Sequence, residues 1–350
     1  MKGIRKLAKQ LDISIGTVSK ALNGRHDVNE KTRKRVLAAA ARLGYAPNQS
    51  GRSLRQGSTN AVGFLIEFSP EAAANSDNFF VGLVEGAQSA LARHALDLIV
   101  LPYSTQQDSF DQLQRIVARR LVDALIISAT LKVDGRLEFL SKANIPFVAL
   151  GRSTSGGNHP WIDLDFEGVA NIAIDRLVGQ GHRRIGVALP DNDSNLGYVF
   201  FDAYRRALRR HGLPFSQKWV FRGRSSEAGG YQIGSDIVAL TERPTAILLV
   251  YELLAMGLYR RLMEAGIRPG KDIAVIGFRE GPQARFLSPT LTCFRMSLHD
   301  LGVTLGEALL AALPAFQKAY PLGTVQKIWP LQLVPGESDD FIVSTKPNRR

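Results

Sequence analysis

The segment SIGTVSKAL, residues 14–22, carries side chains that can recognise the edges of base pairs in duplex DNA. Ile15 can contact a thymine methyl group, and Gly16 permits close approach to a base. Lys20, one helical turn further on, can donate to guanine O6 and N7 or to a phosphate. Each of these residues alone is also typical of an ordinary exposed helix position, so the prediction of DNA recognition depends on the whole set.

Three predicted helices position these side chains. IRKLAKQL has its apolar residues at spacings of three and four, which predicts an amphipathic helix. Ser14 is a favourable N-cap for a second helix, IGTVSKAL, and Asn29 for a third, EKTRKRVLAAAARL, which Gly44 would end. Three short helices with a tight turn between the first two predict a helix-turn-helix head, whose second helix enters the major groove. The residues predicted to contact DNA from this head are Ser14, Ile15, Gly16, Thr17, Ser19, Lys20, Asn23, Thr32, Arg33 and Tyr45.

The positive charge of the chain is concentrated in the same segment. The 350 residues have a formal net charge of +12, and residues 1–58, with thirteen lysine or arginine residues and three acidic ones, account for +10 of it. A basic head on a nearly neutral body is the electrostatic pattern of a nucleic-acid-binding protein. A basic surface that is merely solvated is the alternative.

The single cysteine and the hydropathy pattern limit the cellular context. Cys293 cannot form an internal disulfide and fits a reducing compartment, most simply as a buried strand residue. No run of 18 apolar residues occurs, so neither a membrane span nor a membrane partner is predicted. A cytoplasmic protein is expected.

From residue 61, short apolar runs alternate with helical segments. The runs are AVGFLIEF (61–68), DLIVLPY (97–103), DALIISA (123–129) and PFVALG (146–151), and then WIDLD (161–165), RRIGVAL (183–189), WVFRG (219–223), AILLVY (246–251) and IAVIGF (273–278). Polar residues do not alternate within them, as expected for strands that are buried on both faces. Two such series predict an α/β body with two doubly wound parallel sheets and a ligand cleft at the carboxyl ends of the strands.

Three stretches together resemble the lactose-repressor/galactose-repressor family of bacterial transcriptional regulators: SIGTVSKALNG, VNEKTRKRVLAAAARLGYAPN and RSLRQGSTNAVGFLI. The similarity continues through GHRRIGVALP and SPTLTCF and covers nearly the whole chain. The resemblance implies a three-helix helix-turn-helix head and a two-lobed core like that of type I periplasmic binding proteins. It also implies that the chain crosses three times between the lobes.

The expected domain boundaries follow from these patterns and the resemblance. The head is expected at 1–46, with its helix-turn-helix motif at about 4–23, the hinge helix and linker at 47–60, the core at 61–342 and a tail at 343–350. Within the core, the first lobe is expected at about 61–160 and 292–325, and the second at about 161–291 and 326–342.

One leucine stands out in the linker PNQSGRSLRQGSTN. Leu54 is the only large apolar side chain between Tyr45 and Val62. The resemblance implies a hinge helix that pairs with its dimer mate in the minor groove, where Leu54 would insert between base pairs and its arginine neighbours would bind phosphates. The simpler alternative is a solvated tether in which the leucine has no role. The predicted DNA contacts of this segment are Asn48, Arg52, Ser53, Leu54 and Arg55.

The cleft is expected to bind a small-molecule effector. Its predicted lining is Asp77, Asn78, Phe79, Phe80, Thr130, Trp161, Asp163, Asn192, Asn195, Phe200, Tyr251, Glu252, Arg279 and Glu280. Aromatic faces suit sugar rings, so a sugar, oligosaccharide or glycoside is the expected effector, with a non-sugar effector as the alternative. Phe79 or Phe80 can instead be a core residue at the start of a helix.

The sequence departs from the family at three sugar-contacting positions. Phe200 stands where the family often has arginine, Tyr251-Glu252 where it has Asn-Asp, and Arg279 where it has aspartate. These changes leave an aromatic-rich cleft whose charged residues are Glu252, Arg279 and Glu280.

The resemblance implies a homodimer, or alternatively a tetramer, that binds a pseudo-palindromic operator in double-stranded DNA. The predicted function is a sequence-specific transcriptional regulator, a repressor of carbohydrate uptake or catabolism genes that the effector releases or modulates. Corepression and activation remain alternatives.

Two other classes of protein compete with this prediction. An exported sugar-binding protein would account for residues 61–340, but the basic helix-turn-helix stands where its signal peptide should be. An enzyme would need a catalytic constellation, and the GxGxxG, GxxxxGK[ST] and GxSxG motifs are absent. The six histidines include no pair at spacing three or four, so no metal site or cofactor is predicted, and the body is interpreted as a binding module.

Overall fold

The computed structural model describes residues 3–22, 27–45, 58–68, 79–104 and 108–340. The chain divides into two compact units, Met1–Asn60 and Ala61–Arg350. No helix within the described ranges is long and apolar enough to cross a membrane.

The smaller unit contains three helices, α1 (Ile4–Leu11), α2 (Ile15–Leu22) and α3 (Glu30–Arg42). Both predicted N-caps form: Ser14 Oγ accepts from the Thr17 amide at 3.0 Å, and Asn29 Oδ1 accepts from the Lys31 amide at 2.8 Å. Asp12 makes the turn between α1 and α2 in the left-handed region, with φ 51°. The fully buried Leu7, Val18 and Val36 hold the three helices together. Burial of such a side chain contributes about 1.5–3 kcal/mol, which is what stabilises helices too short to persist alone.

The larger unit alternates strands and helices. The strands are β1 (Ala61–Phe68), β2 (Asp97–Ser104), β3 (Ala124–Ile127), β4 (Phe147–Leu150), β5 (Trp161–Leu164), β6 (Ile185–Pro190), β7 (Val220–Gly223), β8 (Ala246–Leu249), β9 (Ala274–Arg279), β10 (Thr292–Arg295), β11 (Gln326–Trp329) and β12 (Gln332–Val334). The α-helices are α4 (Phe79–Ala92), α5 (Ser109–Ala118), α6 (Gly135–Lys142), α7 (Phe166–Gly179), α8 (Asn195–Arg210), α9 (Glu227–Ala239), α10 (Leu254–Glu264) and α11 (Leu298–Ala312).

These strands form two six-stranded sheets, in the orders β11-β5-β4-β3-β1-β2 and β12-β10-β9-β8-β6-β7. Neighbouring strands are parallel, except that β12 runs antiparallel to β10. In each sheet the second strand lies on one side of the first and the third lies on the other. This reversal leaves a crevice at the carboxyl ends of the strands, which is where ligands bind in doubly wound sheets.

Three short strands belong to the lobe opposite to the predicted one. WIDL at 161–164 was expected to begin the second lobe, but β5 pairs with β4 and β11, so 161–164 and 326–329 complete the first sheet. Residues 292–295 were expected in the first lobe, but β10 pairs with β9 and β12 in the second sheet. The chain therefore crosses between β5 and α7, between β10 and α11, and between β11 and β12. A four-residue apolar strand has the same pattern in either sheet, so only backbone pairing distinguishes the two.

The prediction that every apolar run is buried on both faces is wrong for β2. This strand lies at the edge of the first sheet, where Ile99 is 41% and Val100 38% exposed. Cys293 is buried in β10, as predicted. Elsewhere the strands carry fully buried residues such as Phe64, Ile126 and Leu248, which form the cores of the two lobes.

Candidate functional site

The outer surface of α2 presents the residues that the sequence predicts to face DNA bases. Ile15 is 46% exposed, and a Cβ atom built on Gly16 would meet only Ser14 Oγ, at 3.5 Å. The Ser14 and Thr17 hydroxyl groups bond to each other at 2.9 Å, so they lie side by side at the beginning of the helix. An exposed apolar side chain beside an open glycine can enter a groove without displacing other protein groups. Contact with DNA at these positions stays a prediction.

Lys20 has a partner that the sequence did not indicate. Its Nζ atom lies 2.6 Å from Asp27 Oδ2, across the loop between α2 and α3. Buried Val28 follows Asp27 directly and fixes this part of the loop against the helices. An ammonium group has three N–H donors, so two remain for a base or a phosphate while one is bonded to Asp27.

The other predicted contacts of the head differ in their surroundings. Arg33 Nη1 lies 3.5 Å from Glu30 Oε2, and Thr32 is half-buried beside it. Tyr45 packs partly against the head core, and its amide donates to the Ala40 carbonyl at 2.9 Å. The predicted contacts that lie outside the described residues are Asn23, Asn48, Arg52, Ser53, Leu54 and Arg55, together with Asp77 and Asn78 of the predicted cleft.

A cleft of about 720 Å³ lies between the two lobes of the larger unit. Strand ends supply most of its wall. In the first lobe the wall consists of Glu67 of β1, Ser128–Thr130 after β3, Leu150–Arg152 at the end of β4, and Asp163–Leu164 of β5. In the second lobe it consists of Asp191–Asn192 after β6, Arg224–Ser225 after β7, Val250–Leu253 after β8, and Phe278–Arg279 of β9. Phe79, Phe80, Phe166 and Leu196 add the first turns of three helices.

Aromatic and charged groups of the two lobes meet on the cleft wall. The Phe79 and Phe80 rings are 5.2 Å apart in an edge-to-face arrangement. The Arg279 guanidinium of the second lobe lies 5.2 Å from the centre of the Phe79 ring of the first lobe, and it is also ion-paired to Glu252. The cleft therefore offers apolar ring faces next to polar hydrogen-bonding groups.

A second ion cluster lies at the cleft, with Arg152 and Asp163 from the first lobe and Glu167 from α7 of the second. Arg152 Nε is 2.6 Å from Asp163 Oδ2, and its Nη2 atom is 2.8 Å from Glu167 Oε2. Burial raises the pKa of Asp163 above its ordinary value, and the hydrogen bond from Arg152 opposes that rise. Both carboxylates are thus engaged by one guanidinium.

A latch joins the two lobes beside the cleft. The Asn195 amide donates to the Thr130 carbonyl at 2.9 Å, the Asn195 Nδ2 atom donates to the Arg152 carbonyl at 2.8 Å, and the Lys132 amide donates to the Asp193 carbonyl at 3.4 Å. Leu131 and Ser194 form an isolated antiparallel bridge in the same place. We call these two segments, 130–132 and 193–195, the latch. Residues that line the cleft thus also connect the lobes.

Eight of the predicted cleft residues lie on its wall: Phe79, Phe80, Thr130, Asp163, Asn192, Tyr251, Glu252 and Arg279. Their binding of an effector stays a prediction.

Four predicted cleft residues do not line the cleft. Phe200 is fully buried in the second lobe, where its ring packs edge-to-face on Phe166 and Phe278, and Leu196, one turn earlier on α8, faces the cleft instead. Asn195 is 8% exposed and belongs to the latch.

Trp161 and Glu280 are the other two. The Trp161 ring packs against the first-lobe core and lies 5.8 Å from the Arg152 guanidinium. Glu280 is bound by Arg295 and Arg285, and hydrogen bonds from Arg295 lower its pKa. Trp161 is the first residue of β5 and Glu280 directly follows β9, but neither residue lines the cleft.

Several wall residues were not predicted, among them Glu67, Arg152, Phe166, Asp191 and Arg224. The signal for the first two was available, because Glu67 is a charged residue at the end of an apolar strand and Arg152 directly follows another such strand. Arg224 follows a strand too, whereas Phe166 is an ordinary apolar residue at the start of a helix and carries no comparable signal.

Comparison with known proteins identifies the family. Residues 3–48 match the model of bacterial regulatory proteins of the lacI family, and residues 174–338 match a periplasmic binding protein-like domain. The HTH-type transcriptional regulator AglR of Rhizobium meliloti is 30% identical over 335 residues, which cover 95% of this chain and 92% of AglR. The chain belongs to the lacI family of bacterial regulatory proteins.

Solved structures share the fold of this family member. The lac repressor dimer bound to operator and the anti-inducer ONPF has a TM-score of 0.81 at 23% identity, covering 95% of this chain and 97% of that one. The complex of the transcriptional regulator CelR with cellobiose has a TM-score of 0.72 at 22% identity, covering 97% of this chain and all of that one. The relatives are transcriptional regulators, so the chain is a regulator and not an enzyme. No group of three or more metal-ligating side chains occurs within the described ranges.

Proposed function

We propose that the protein is a repressor that binds a specific operator as a homodimer and is released by a carbohydrate effector. A two-fold dimer would place one head on each half of a pseudo-palindromic site. The basic head, with exposed Ile15 and a capped α2, supports operator recognition. The target is chromosomal DNA, so the protein is expected to act in the cytoplasm, on genes for carbohydrate uptake or catabolism.

The composition of the cleft wall carries the carbohydrate part of the proposal. Phe79, Phe80 and Tyr251 offer aromatic faces, both lobes contribute charged groups beside them, and the second lobe adds the Asn192 amide. Sugars have apolar ring faces and hydroxyl edges, and a mainly apolar cavity with a few fixed polar groups binds both. The cleft volume of about 720 Å³ suits a ligand of one to a few sugar rings. The cellobiose complex of a neighbour with this fold supports the same class of ligand.

Selection from random DNA duplexes with the full-length protein tests the DNA-binding part. Recovery of a two-fold symmetric motif at physiological salt is expected, because each head of a dimer reads one half-site. Recovery of sequences with no common motif would overturn operator recognition. Recovery of a single, asymmetric half-site would overturn the dimer.

A panel of glucose, galactose, cellobiose, melibiose and raffinose tests the effector part. At least one of these sugars is expected to raise the melting temperature of the full-length protein and to release the selected duplex, because it binds the folded cleft. Phe79→Ala should blunt both responses while leaving the affinity for the duplex in the absence of sugar unchanged. A wild-type protein that no sugar stabilises would overturn the carbohydrate proposal.

A further inference from the structure

The charges that line the cleft are neutralised within the protein, with one exception among the described residues. Arg152 pairs with Asp163 at 2.6 Å, Arg224 lies 3.6 Å from Asp191, and Arg279 pairs with Glu252. In the described parts of the chain, no lysine, arginine or histidine forms an ion pair with Glu67. The described wall therefore has one uncompensated carboxylate, which is at the end of β1.

Glu67 occupies the position where a doubly wound sheet binds its ligand. It lies at the carboxyl end of β1, and the next two strands of the chain, β2 and β3, lie on opposite sides of β1. Its side chain is half-buried and lines the cleft. A carboxylate in such a place keeps several lone pairs free to accept hydrogen bonds from a ligand.

A buried hydrogen-bond network positions the Glu67 carboxylate. The Tyr103 hydroxyl lies 3.4 Å from Glu67 Oε2 and donates to it, while Arg136 Nη1 donates to the same hydroxyl at 3.2 Å. Tyr103 is 6% and Arg136 2% exposed, so neither group can exchange its partners for bulk water. Arginine can only donate, so its bond uses a lone pair of the Tyr103 oxygen. The hydroxyl hydrogen of Tyr103 is therefore left to donate to Glu67.

The arginine is fixed in turn by a carboxylate and a loop. Asp134 accepts from Arg136 Nε at 3.0 Å and from Nη2 at 2.7 Å, and it also accepts from the Leu131 amide at 3.1 Å. Arg136 Nη2 donates to the Ala129 carbonyl at 2.9 Å. The network thus connects Glu67 to the loop that contains the first-lobe half of the latch.

We infer that Glu67 is an effector-binding residue that accepts hydrogen bonds from hydroxyl groups of a neutral sugar, and that Tyr103 and Arg136 are its positioning residues. This assignment rests on the proposed carbohydrate effector. It also sets a charge requirement, because a sugar acid would bring a second carboxylate to a wall whose arginines are already paired. The site therefore selects neutral sugars against the corresponding uronic acids.

The test compares binding of neutral sugars and uronic acids to the full-length protein. Calorimetry measures the dissociation constants of glucose, galactose and cellobiose, and of glucuronate, galacturonate and cellobiouronate. Glu67→Gln keeps the size of the side chain and removes its charge. It is expected to weaken binding of the neutral sugar about fivefold to tenfold, since a hydrogen bond to a charged carboxylate is replaced by one to a neutral amide oxygen. It is also expected to reduce the preference for that sugar over its uronic acid.

Tyr103→Phe tests the positioning role. The ring stays in place and only the hydroxyl is lost, so we expect a smaller change in the same ratio of dissociation constants. Tyr204→Phe is the matched control, because Tyr204 is also buried but its hydroxyl donates to the Ile185 carbonyl at 2.7 Å, and neither residue lines the cleft. If the role of Tyr103 is purely structural, Tyr103→Phe lowers the melting temperature, as Tyr204→Phe does, and leaves the ratio of the neutral-sugar and uronic-acid dissociation constants unchanged. That result would overturn the positioning role.

The outcomes separate this assignment from the proposed function. A wild-type protein that none of the sugars stabilises overturns the carbohydrate effector and this assignment together. A wild-type protein that binds a neutral sugar, with Glu67→Gln binding it equally well, overturns only the assignment of Glu67. A wild-type preference for the uronic acid overturns the charge requirement in the same way.

Discussion

Replacement of Asp27 by asparagine is expected to make DNA binding tighter and more sensitive to salt. Lys20 Nζ lies 2.6 Å from Asp27 Oδ2, and the two side chains are 56% and 55% exposed. While this pair persists on DNA, Asp27 compensates the charge of Lys20, so Lys20 releases few counterions from the duplex. Asparagine removes the compensating charge and leaves the ammonium group able to neutralise a phosphate.

The size of the effect follows from counterion release. One additional neutralised phosphate changes the slope of log K against log salt by about −0.9 for each head, or about −1.8 for a dimer. Between about 50 and 200 mM salt, a slope change of that size adds roughly a twelvefold loss of affinity. An exposed ion pair contributes only about 0.2–1 kcal/mol, so the melting temperature should hardly change.

Fluorescence anisotropy on the duplex recovered by selection, repeated over a range of salt concentrations, measures this slope. Asp12→Asn is the matched control, because it removes the same charge from the same head. Its φ of 51° also lies in a region that asparagine tolerates well. We expect a steeper slope in Asp27→Asn alone. An unchanged slope in Asp27→Asn, or an equal change in both variants, would refute the compensation of Lys20.

Two further predictions concern the core. Asn195→Ala removes the hydrogen bond to the Arg152 carbonyl, worth about 1 kcal/mol, so hydrogen exchange of the residue 195 and Lys132 amides should accelerate about fivefold. Asn171→Ala on α7 is the control, because it also removes one side-chain hydrogen bond, from Arg210, but outside the latch. Unchanged protection in Asn195→Ala would contradict the latch. Burial lowers the pKa of His182 to about 4, below its ordinary value of about 6.5. The folded state therefore favours the neutral imidazole, and the free energy of unfolding falls as the pH drops below about 6.5. At about pH 5.5 the loss is about 1.4 kcal/mol. Urea titrations of His182→Asn, whose side chain can still hydrogen-bond to Thr245, should lack this part of the pH dependence. An unaltered pH dependence in this variant would contradict the role of His182.

Local patterns predicted the head because the interactions that define it are local. The caps of α2 and α3 come from Ser14 and Asn29, each within three residues of the amide that it accepts. The apolar spacing of α1 is likewise set within eight residues. The Lys20–Asp27 pair was not predictable in the same way, because it spans a loop whose path the residue types do not fix.

The body shows where such patterns stop being sufficient. The bounds of β1 agree with the predicted run at 61–68, since an apolar, β-branched run determines a buried strand. Whether Trp161 of β5 joins the first or the second sheet depends on backbone pairs with residues far away in sequence. On α8, Phe200 and Leu196 are both apolar and one turn apart, so periodicity places them on one stripe without distinguishing core from cleft.

The latch limits how an effector can act in the proposed mechanism. Its three inter-lobe hydrogen bonds contribute about 1 kcal/mol each, or about 3 kcal/mol, to the arrangement in which they form. Changing the ratio of two lobe arrangements from 1:99 to 99:1 needs a ligand that binds the favoured arrangement about 5.5 kcal/mol more tightly. A ligand supplies this difference only through contacts that differ between the two arrangements. Arg279 already spans the cleft to the Phe79 ring of the opposite lobe. A sugar bound between this contact and Glu67 would touch both lobes at once, and it is these two-lobe contacts, more than the latch, that must provide the switching energy.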